Sequence, residues 1–134
     1  MEYSIKAKSA SSGEAVVFAK SNSYDFGIKS NQPEMAGPTE LLLGAFAACC
    51  LKNIERFSQL LHYTYTHAEI EVKGFRQEKP PMINKIQYTI RIKSNDPKLK
   101  LDLLHKNLKK FGTIYNTLNV VCEIDGELIV ADNV

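Results

Sequence analysis

Three cysteines, Cys49, Cys50 and Cys122, are the side chains best suited to nucleophilic or redox chemistry. Cys49 and Cys50 are neighbours in an apolar segment, and adjacent side chains on a helix point about 100° apart, so they cannot join in a disulfide there. A cysteine acts as a nucleophile when its thiolate is stabilised and a substrate can reach it; otherwise it is a small core residue. Both interpretations stay open for this pair. Cys122 alternates with Val120 and Ile124, which predicts core packing on the buried face of a strand.

The sequence has no pattern typical of a metal, phosphate or cofactor site. The histidines, His62, His67 and His105, stand at no ligand spacing to one another or to the cysteines, and no Cys-x-x-Cys occurs. Residues 12–14, Ser-Gly-Glu, lack the further glycines and the lysine of a P-loop. We therefore expect no metal and no cofactor.

The two adjacent cysteines end a segment that is apolar on every face, residues 41–51 (Leu-Leu-Leu-Gly-Ala-Phe-Ala-Ala-Cys-Cys-Leu). Pro38 suits the first position of a helix, and we predict a helix over residues 38–61. A helix that is apolar all round must be covered all round. Small residues such as Gly44 and Ala48 permit close approach of a second backbone. The pattern therefore predicts an obligate homodimer with this helix at its interface.

The rest of the chain predicts an α+β fold in one domain over residues 1–134, in the order β-β-β-α-β-β-α-β-β. Alternating apolar residues favour strands, and Asn95, Asp96 and Pro97 favour the start of a second helix that Gly112 ends in a left-handed conformation. Asp125 and Gly126 are a strong hairpin signal. The predicted strands are 3–8, 15–19, 24–28, 64–75, 82–93, 119–124 and 127–130, and residues 113–118 are a short helical or irregular segment.

The composition is that of a globular protein: 134 residues, 44% hydrophobic, 24% charged and a formal net charge of +2. Lysines alternate with acidic residues instead of gathering on one face, so we expect no nucleic-acid partner. No stretch is long and apolar enough to cross a membrane, and the first residues do not have the pattern of a signal peptide. We expect a cytoplasmic protein whose cysteines are reduced.

The stretch 37–49 (Gly-Pro-Thr-Glu-Leu-Leu-Leu-Gly-Ala-Phe-Ala-Ala-Cys) resembles the signature of the OsmC/Ohr hydroperoxide-reductase family. That signature is a proline, an acidic residue just after it, an apolar helix and a cysteine eleven positions beyond the proline. The spacing selects Cys49 over Cys50. The predicted order of elements is similar to that family over nearly the whole chain.

The resemblance implies an OsmC-like fold of antiparallel sheets and two helices, with the long central helix buried at a homodimer interface and the active sites there. It implies that Cys49 attacks the O–O bond of an organic hydroperoxide and becomes a sulfenic acid. Glu40 is then the candidate for an orienting carboxylate, and an external thiol is the final reductant. No metal takes part.

This chain departs from the family pattern at three places. The resemblance implies a second cysteine near the end of the second helix that forms a disulfide with the first; Gly112 stands where it would be, with Tyr115 following that place. Thr39 occupies the acidic position directly after the proline, one residue before Glu40. The resemblance also implies an N-terminal arginine at the site, which has no counterpart because no arginine occurs before Arg56. The usual two-cysteine cycle is therefore not available. Three alternatives are left open: a one-cysteine cycle with an external thiol, a cycle using Cys50, or a non-catalytic dimeric protein that binds a small hydrophobic ligand or senses redox state.

Overall fold

The computed structural model describes residues 1–134, whose internal contacts form two compact units, Met1–Leu42 and Leu43–Val134. The elements mix strands and helices, which confirms the predicted α+β class. The single domain over residues 1–134 stays a prediction. No helix is long and apolar enough to span a bilayer.

The first unit contains the predicted antiparallel meander. Strands β1 (Lys6–Ser9), β2 (Ala15–Ala19) and β3 (Asn22–Asp25) pair in the order β1-β2-β3. Ala15 is the only buried residue of this unit. The unit therefore has very little core of its own. Its exposed large apolar side chains are Met1, Tyr3, Ile5, Phe18, Tyr24, Ile28 and Leu42.

Helix α1 (Pro38–Leu60) has nearly the predicted bounds. Pro38 is its first residue, and the missing N–H of proline costs nothing at a helix start. The chain leaves the helix at His62, which has a positive φ of 57°, and the Tyr63 hydroxyl donates a 2.7 Å hydrogen bond to the carbonyl of Ile54. The buried residues of α1 recur at helical spacing and form one stripe: Phe46, Cys50, Ile54 and Phe57.

The second unit contains a three-stranded sheet, with β4 (His67–Glu78) antiparallel to β5 (Pro81–Lys93) and β6 (Glu123–Val130) parallel to β5. The predicted closing hairpin is wrong, and the expected antiparallel pairing holds for every strand pair except β5 and β6. Asp125 and Gly126 lie inside β6 instead of in a turn. Gly126 pairs with Tyr88, whose ring occupies the space that a β-carbon at position 126 would need. Glycine is thus required here for a close contact between strands, not for a turn.

Two helices, α2 (Leu101–Phe111) and α3 (Thr113–Asn119), connect β5 to its parallel neighbour, as a crossover connection requires. The second helix begins later than predicted because Asp96 caps a turn: its carboxylate accepts hydrogen bonds from the N–H of Thr64 at 2.8 Å and of Lys98 at 2.9 Å. Gly112 separates α2 from α3 with φ −76°, so its predicted left-handed conformation is wrong.

The core of the second unit lies between α1, the inner face of β5 and α2. Leu104 and Leu108 of α2 are one turn apart and buried, as their spacing predicts. The largest fully buried side chains of this core are Phe46, Ile54, Ile86, Ile90, Ile92 and Leu104. This packing fixes the faces of α1 and therefore the direction in which each cysteine points.

Candidate functional site

Cys49 lies at the edge of the buried stripe of α1. Its side chain is half-buried, between the exposed Ala48 and the buried Cys50. It is the one cysteine of the three that is not buried, and all three are free thiols. Cys49 is therefore the cysteine best placed to meet a small reactant.

Cys50 has the surroundings of a core residue. It is 4% exposed, and burial raises the pKa of its thiol from 9.0 to about 12, with the neighbouring Cys49 adding to this effect. One turn later on the helix stands the fully buried Ile54. Cys50 is therefore a protonated thiol at neutral pH, and a protonated, enclosed thiol is a poor nucleophile.

Cys122 is also a packing residue. It is 6% exposed, its Sγ donates a 3.2 Å hydrogen bond to the carbonyl oxygen of Ile83, and burial raises the pKa of its thiol. The alternation that predicted a strand face was misleading in detail, because Val120 is 83% exposed at the end of α3 and Cys122 precedes β6. The burial itself agrees with the prediction.

The sulfur of Cys49 has two close neighbours within the second unit. The Asn53 side-chain amide, one turn further along α1, donates to Cys49 Sγ at 3.8 Å. On the other side is Gly112, where a β-carbon would lie 3.3 Å from the same sulfur. A side chain at position 112, where the family resemblance predicts a second cysteine, would therefore start in contact with Cys49. In this chain the position is a glycine and supplies no side chain.

Glu40 and Thr39 lie in the first turn of α1, in the first unit. The Glu40 carboxylate accepts a 2.7 Å hydrogen bond from the backbone N–H of Gly37, just before the helix. This contact satisfies a donor that the helix start leaves free, and a carboxylate is favourable near that end. The orienting role expected for Glu40 stays a prediction, as does a role for Thr39.

Tyr115 belongs to a buried aromatic group next to the reactive segment. It is 6% exposed, and its ring centroid lies 5.8 Å from that of Phe46, which in turn lies 5.6 Å from that of Tyr88. The Tyr88 hydroxyl forms a 2.5 Å hydrogen bond with His105 Nε2. Burial is the main cause that raises the pKa of both tyrosines and lowers the pKa of His105.

Sequence reasoning missed Asn53 and the Tyr88–His105 pair. Asn53 was visible as the residue four positions after Cys49, but its role depends on which cysteine is exposed. His105 follows Leu104 directly, so the helical spacing could have predicted that it lies at the edge of the apolar face of α2. No three His, Cys, Asp or Glu side chains lie together in a way that would hold a metal ion.

This arrangement suits oxidation and re-reduction at one sulfur. Cys49 is the one cysteine that is not buried, a neutral amide donor faces it, and a β-carbon at position 112 would lie 3.3 Å from its sulfur. Neither of the other cysteines is placed to react first. A thiolate with a nearby donor and an open side is the structural requirement for reaction with a peroxide or a disulfide.

Solved structures with the same fold include several OsmC-like and organic hydroperoxide resistance proteins. An OsmC-like protein from Mycoplasma pneumoniae has a TM-score of 0.86 at 17% identity, covering 98% of this chain and 99% of that chain. An OsmC-like protein of unknown function from Vibrio cholerae has a TM-score of 0.80 at 12% identity, covering 96% and 99%. The organic hydroperoxide resistance protein OhrB of Bacillus subtilis has a TM-score of 0.66 at 14% identity, covering 98% of each chain. At these identities the likeness establishes the fold, and the predicted OsmC-like fold is confirmed.

Comparison with curated proteins gave no match. The sequence profile described as "OsmC-like protein" matches residues 31–125, a range that contains the whole of α1 and both sides of the Cys49–Gly112 contact. Since this profile covers most of the sequence, the chain belongs to the OsmC family.

Proposed function

We propose that this chain is a thiol-dependent organic hydroperoxide reductase in which Cys49 is the only catalytic cysteine. The observation that carries the proposal is the contact between Cys49 Sγ and position 112, where a β-carbon would lie 3.3 Å away. The same two positions that the family resemblance pairs as first and second cysteine are in contact here, and only the first is a cysteine. The peroxide-reducing half of the cycle is retained, and the internal resolving step is not.

The proposed cycle has three steps. The Cys49 thiolate attacks a peroxide oxygen: an S–O bond forms, the O–O bond breaks, and the alkoxide takes up a proton and leaves as an alcohol. An external thiol then attacks the sulfenic acid sulfur, so that an S–S bond forms and the oxygen leaves as water. A second external thiol attacks the mixed disulfide, releasing a small disulfide and the Cys49 thiol. One hydroperoxide and two thiols thus give one alcohol, one disulfide and one water.

An organic hydroperoxide is proposed as the oxidant because the surroundings of Cys49 on α1 are apolar. Residues 41–51 contain no charged side chain, and Ala45 and Ala48, on the same helix, are exposed. An apolar lining with few polar groups favours a hydrocarbon-bearing substrate. Some proteins of the same fold are named organic hydroperoxide resistance proteins, which supports this substrate class.

A homodimer is part of this proposal, because each unit, taken by itself, has exposed apolar side chains. In the first unit only Ala15 is buried. On α1, Gly44, Ala45 and Ala48 are exposed, and a β-carbon at Gly44 would have no neighbour within 4 Å. A glycine inside a helix costs about 1 kcal/mol relative to alanine. Close approach of a second chain is the reason we propose for its presence.

Steady-state turnover tests the proposed function. Purified protein is incubated with cumene hydroperoxide and excess dithiol, and loss of peroxide is followed for the wild type, Cys49→Ser and Cys50→Ser. We expect turnover in the wild type and in Cys50→Ser and none in Cys49→Ser. If Cys50→Ser is folded and has no turnover, the proposal has assigned the chemistry to the wrong sulfur.

Gly112 also favours a second candidate function, a redox sensor or a binder of a small hydrophobic ligand. Without a resolving cysteine, an oxidised Cys49 persists until an external thiol reaches it, and this persistence suits a sensor. The same assay separates the two. Stoichiometric oxidation of Cys49 with no turnover at any dithiol concentration favours the sensor, and no oxidation together with tight binding of an apolar compound favours the binder.

A further inference from the structure

The two adjacent cysteines of α1 have opposite neighbours one turn later on the same helix. Cys49 is followed at four residues by Asn53, which is half-buried, and Cys50 is followed by the fully buried Ile54. Residues four apart on a helix are surface neighbours. The only hydrogen-bonding side chain on α1 at this spacing from a cysteine therefore serves the accessible sulfur.

Helix geometry directs the Asn53 amide at that sulfur. Each Cα–Cβ bond tilts toward the helix N-terminus, so the side chain at position 53 leans back over position 49. Asn53 Nδ2 lies 3.8 Å from Cys49 Sγ, and this is its only side-chain hydrogen bond. Asparagine is a poor residue for a helix interior, so the fold alone does not favour it here.

No other side chain of α1 forms a hydrogen bond with Cys49 Sγ. The Arg56 guanidinium lies 5.5 Å from the centroid of the Phe57 ring. The Ser58 hydroxyl donates to the carbonyl of Glu55 at 2.6 Å. Lys52 is exposed. Asn53 is thus the polar group of this helix that contacts the reactive sulfur.

We infer that Asn53 is a positioning residue for Cys49: its amide N–H donates to the sulfur, stabilises the thiolate and fixes the direction in which the sulfur points. The inference rests on the proposed function, because it names the group that stabilises the thiolate of Cys49, a role that a nearby cation often has in reactive cysteine sites. A hydrogen bond to a charged acceptor is stronger than one to a neutral acceptor, so the amide favours the thiolate over the thiol. The reacting atoms stay on Cys49, and Asn53 acts through it.

Alkylation of Cys49 by iodoacetamide tests this inference without any peroxide. The rate is measured across roughly pH 6 to 10, where thiols titrate, with peptide mass mapping to assign the label to Cys49. The variants are Asn53→Ala, which removes the donor, and Asn53→Asp, which replaces it with a carboxylate of the same shape. Gln59→Glu is the matched control, because it makes the same amide-to-carboxylate change at an exposed position of the same helix.

We expect Asn53→Asp to lower the alkylation rate near neutral pH about tenfold. Asn53→Ala should lower it by a smaller factor, because this variant only loses a charge-assisted hydrogen bond at a half-exposed site. Both profiles should move to higher pH while reaching the wild-type plateau in alkali, a change that a merely structural residue would not produce. Gln59→Glu should follow the wild type within about twofold, since exposed charges far apart are screened.

Two results would overturn the inference. In the first, the pH profiles of both Asn53 variants coincide with that of the wild type. In the second, Asn53→Ala reacts faster than the wild type, which would mean that the amide oxygen and not the N–H faces the sulfur. Thermal unfolding of each variant verifies that it is folded, and if Asn53→Asp is unfolded, Asn53→Ala alone decides. Peroxide turnover enters none of these measurements. Failure of the proposed enzyme activity would therefore leave this result intact, and the reverse also holds.

Discussion

Cys49 and Cys50 are adjacent in sequence, and burial separates their chemistry. Cys50 is 4% exposed with a thiol pKa raised to about 12, whereas the half-buried Cys49 contacts Asn53 and lies beside position 112. The difference arises from a rotation of about 100° between neighbouring side chains on one helix. At the scale of single residues, the site consists of one accessible sulfur, one amide and one missing side chain.

Restoring a thiol at position 112 should restore an internal disulfide. A β-carbon at Gly112 would lie 3.3 Å from Cys49 Sγ, close to the separation of about 3 Å that an S–S bond near 2.04 Å imposes. Gly112 has a φ of −76°, which any residue adopts. The β-carbon would also lie 2.9 Å from the carbonyl oxygen of Leu108, so a small backbone shift is needed. We expect Gly112→Cys to lose two free thiols on mild oxidation, as counted by intact mass under non-reducing conditions.

Gly44→Cys is the control for this experiment. Position 44 is exposed on α1, the helix that carries Cys49, and a β-carbon there would have no neighbour within 4 Å. It should form no disulfide with Cys49 inside one chain. A folded Gly112→Cys variant that keeps both thiols free after oxidation would contradict the assigned contact between positions 49 and 112.

At the scale of elements, α2 is fixed to the sheet by its apolar face and by one buried polar contact, from His105 to the hydroxyl of Tyr88 on β5. Burial, helped by Lys109 and opposed by Asp102, lowers the pKa of His105 below its ordinary value of 6.5. The unfolded chain therefore binds a proton at His105 more readily than the folded chain. The free energy of unfolding must then fall as the pH drops from about 6.5 toward the lower pKa of the folded state.

His105→Gln should remove this part of the acid sensitivity, because glutamine does not titrate and can still accept a hydrogen bond. We expect the free energy of unfolding to fall less between roughly pH 7.5 and pH 5.5 in this variant than in the wild type, as measured by urea denaturation. His67→Gln, at an exposed position of β4, should retain the wild-type dependence. Equal losses in all three proteins would mean that other groups control the acid response.

The elements were predictable where their signals are local. Pro38 and the apolar run after it defined α1 almost to the residue, since both act within the helix itself. Asp125 and Gly126 misled because the glycine is needed for a contact with Tyr88, which lies far away in sequence. The place of a missing cysteine at Gly112 stays a prediction from the family resemblance, and its proximity to Cys49 follows only from the folded chain. Long-range contacts of this kind leave no periodic pattern in the sequence.

At the scale of the whole molecule, the proposed homodimer explains apolar surface that a single chain leaves uncovered. Gly44→Glu tests it, because position 44 is exposed on α1 and a β-carbon there would have no neighbour within 4 Å. Burying an unpaired carboxylate at an interface should weaken the dimer on the order of a hundredfold. Sedimentation equilibrium measures the dissociation constant, and Gln59→Glu on the same helix should leave it unchanged. A wild-type protein that sediments as a monomer at micromolar concentration would exclude the dimer.

The claim on which the account depends most is that peroxide oxidises the sulfur of Cys49 and no other. Reduced protein is mixed with one equivalent of cumene hydroperoxide in the absence of added thiol, the sulfenic acid is trapped with dimedone, and the labelled peptide is identified by mass spectrometry. The account predicts one adduct per chain, on Cys49, with Cys50 and Cys122 unmodified. An adduct on either of those residues, or an unmodified Cys49 in folded protein, would contradict it.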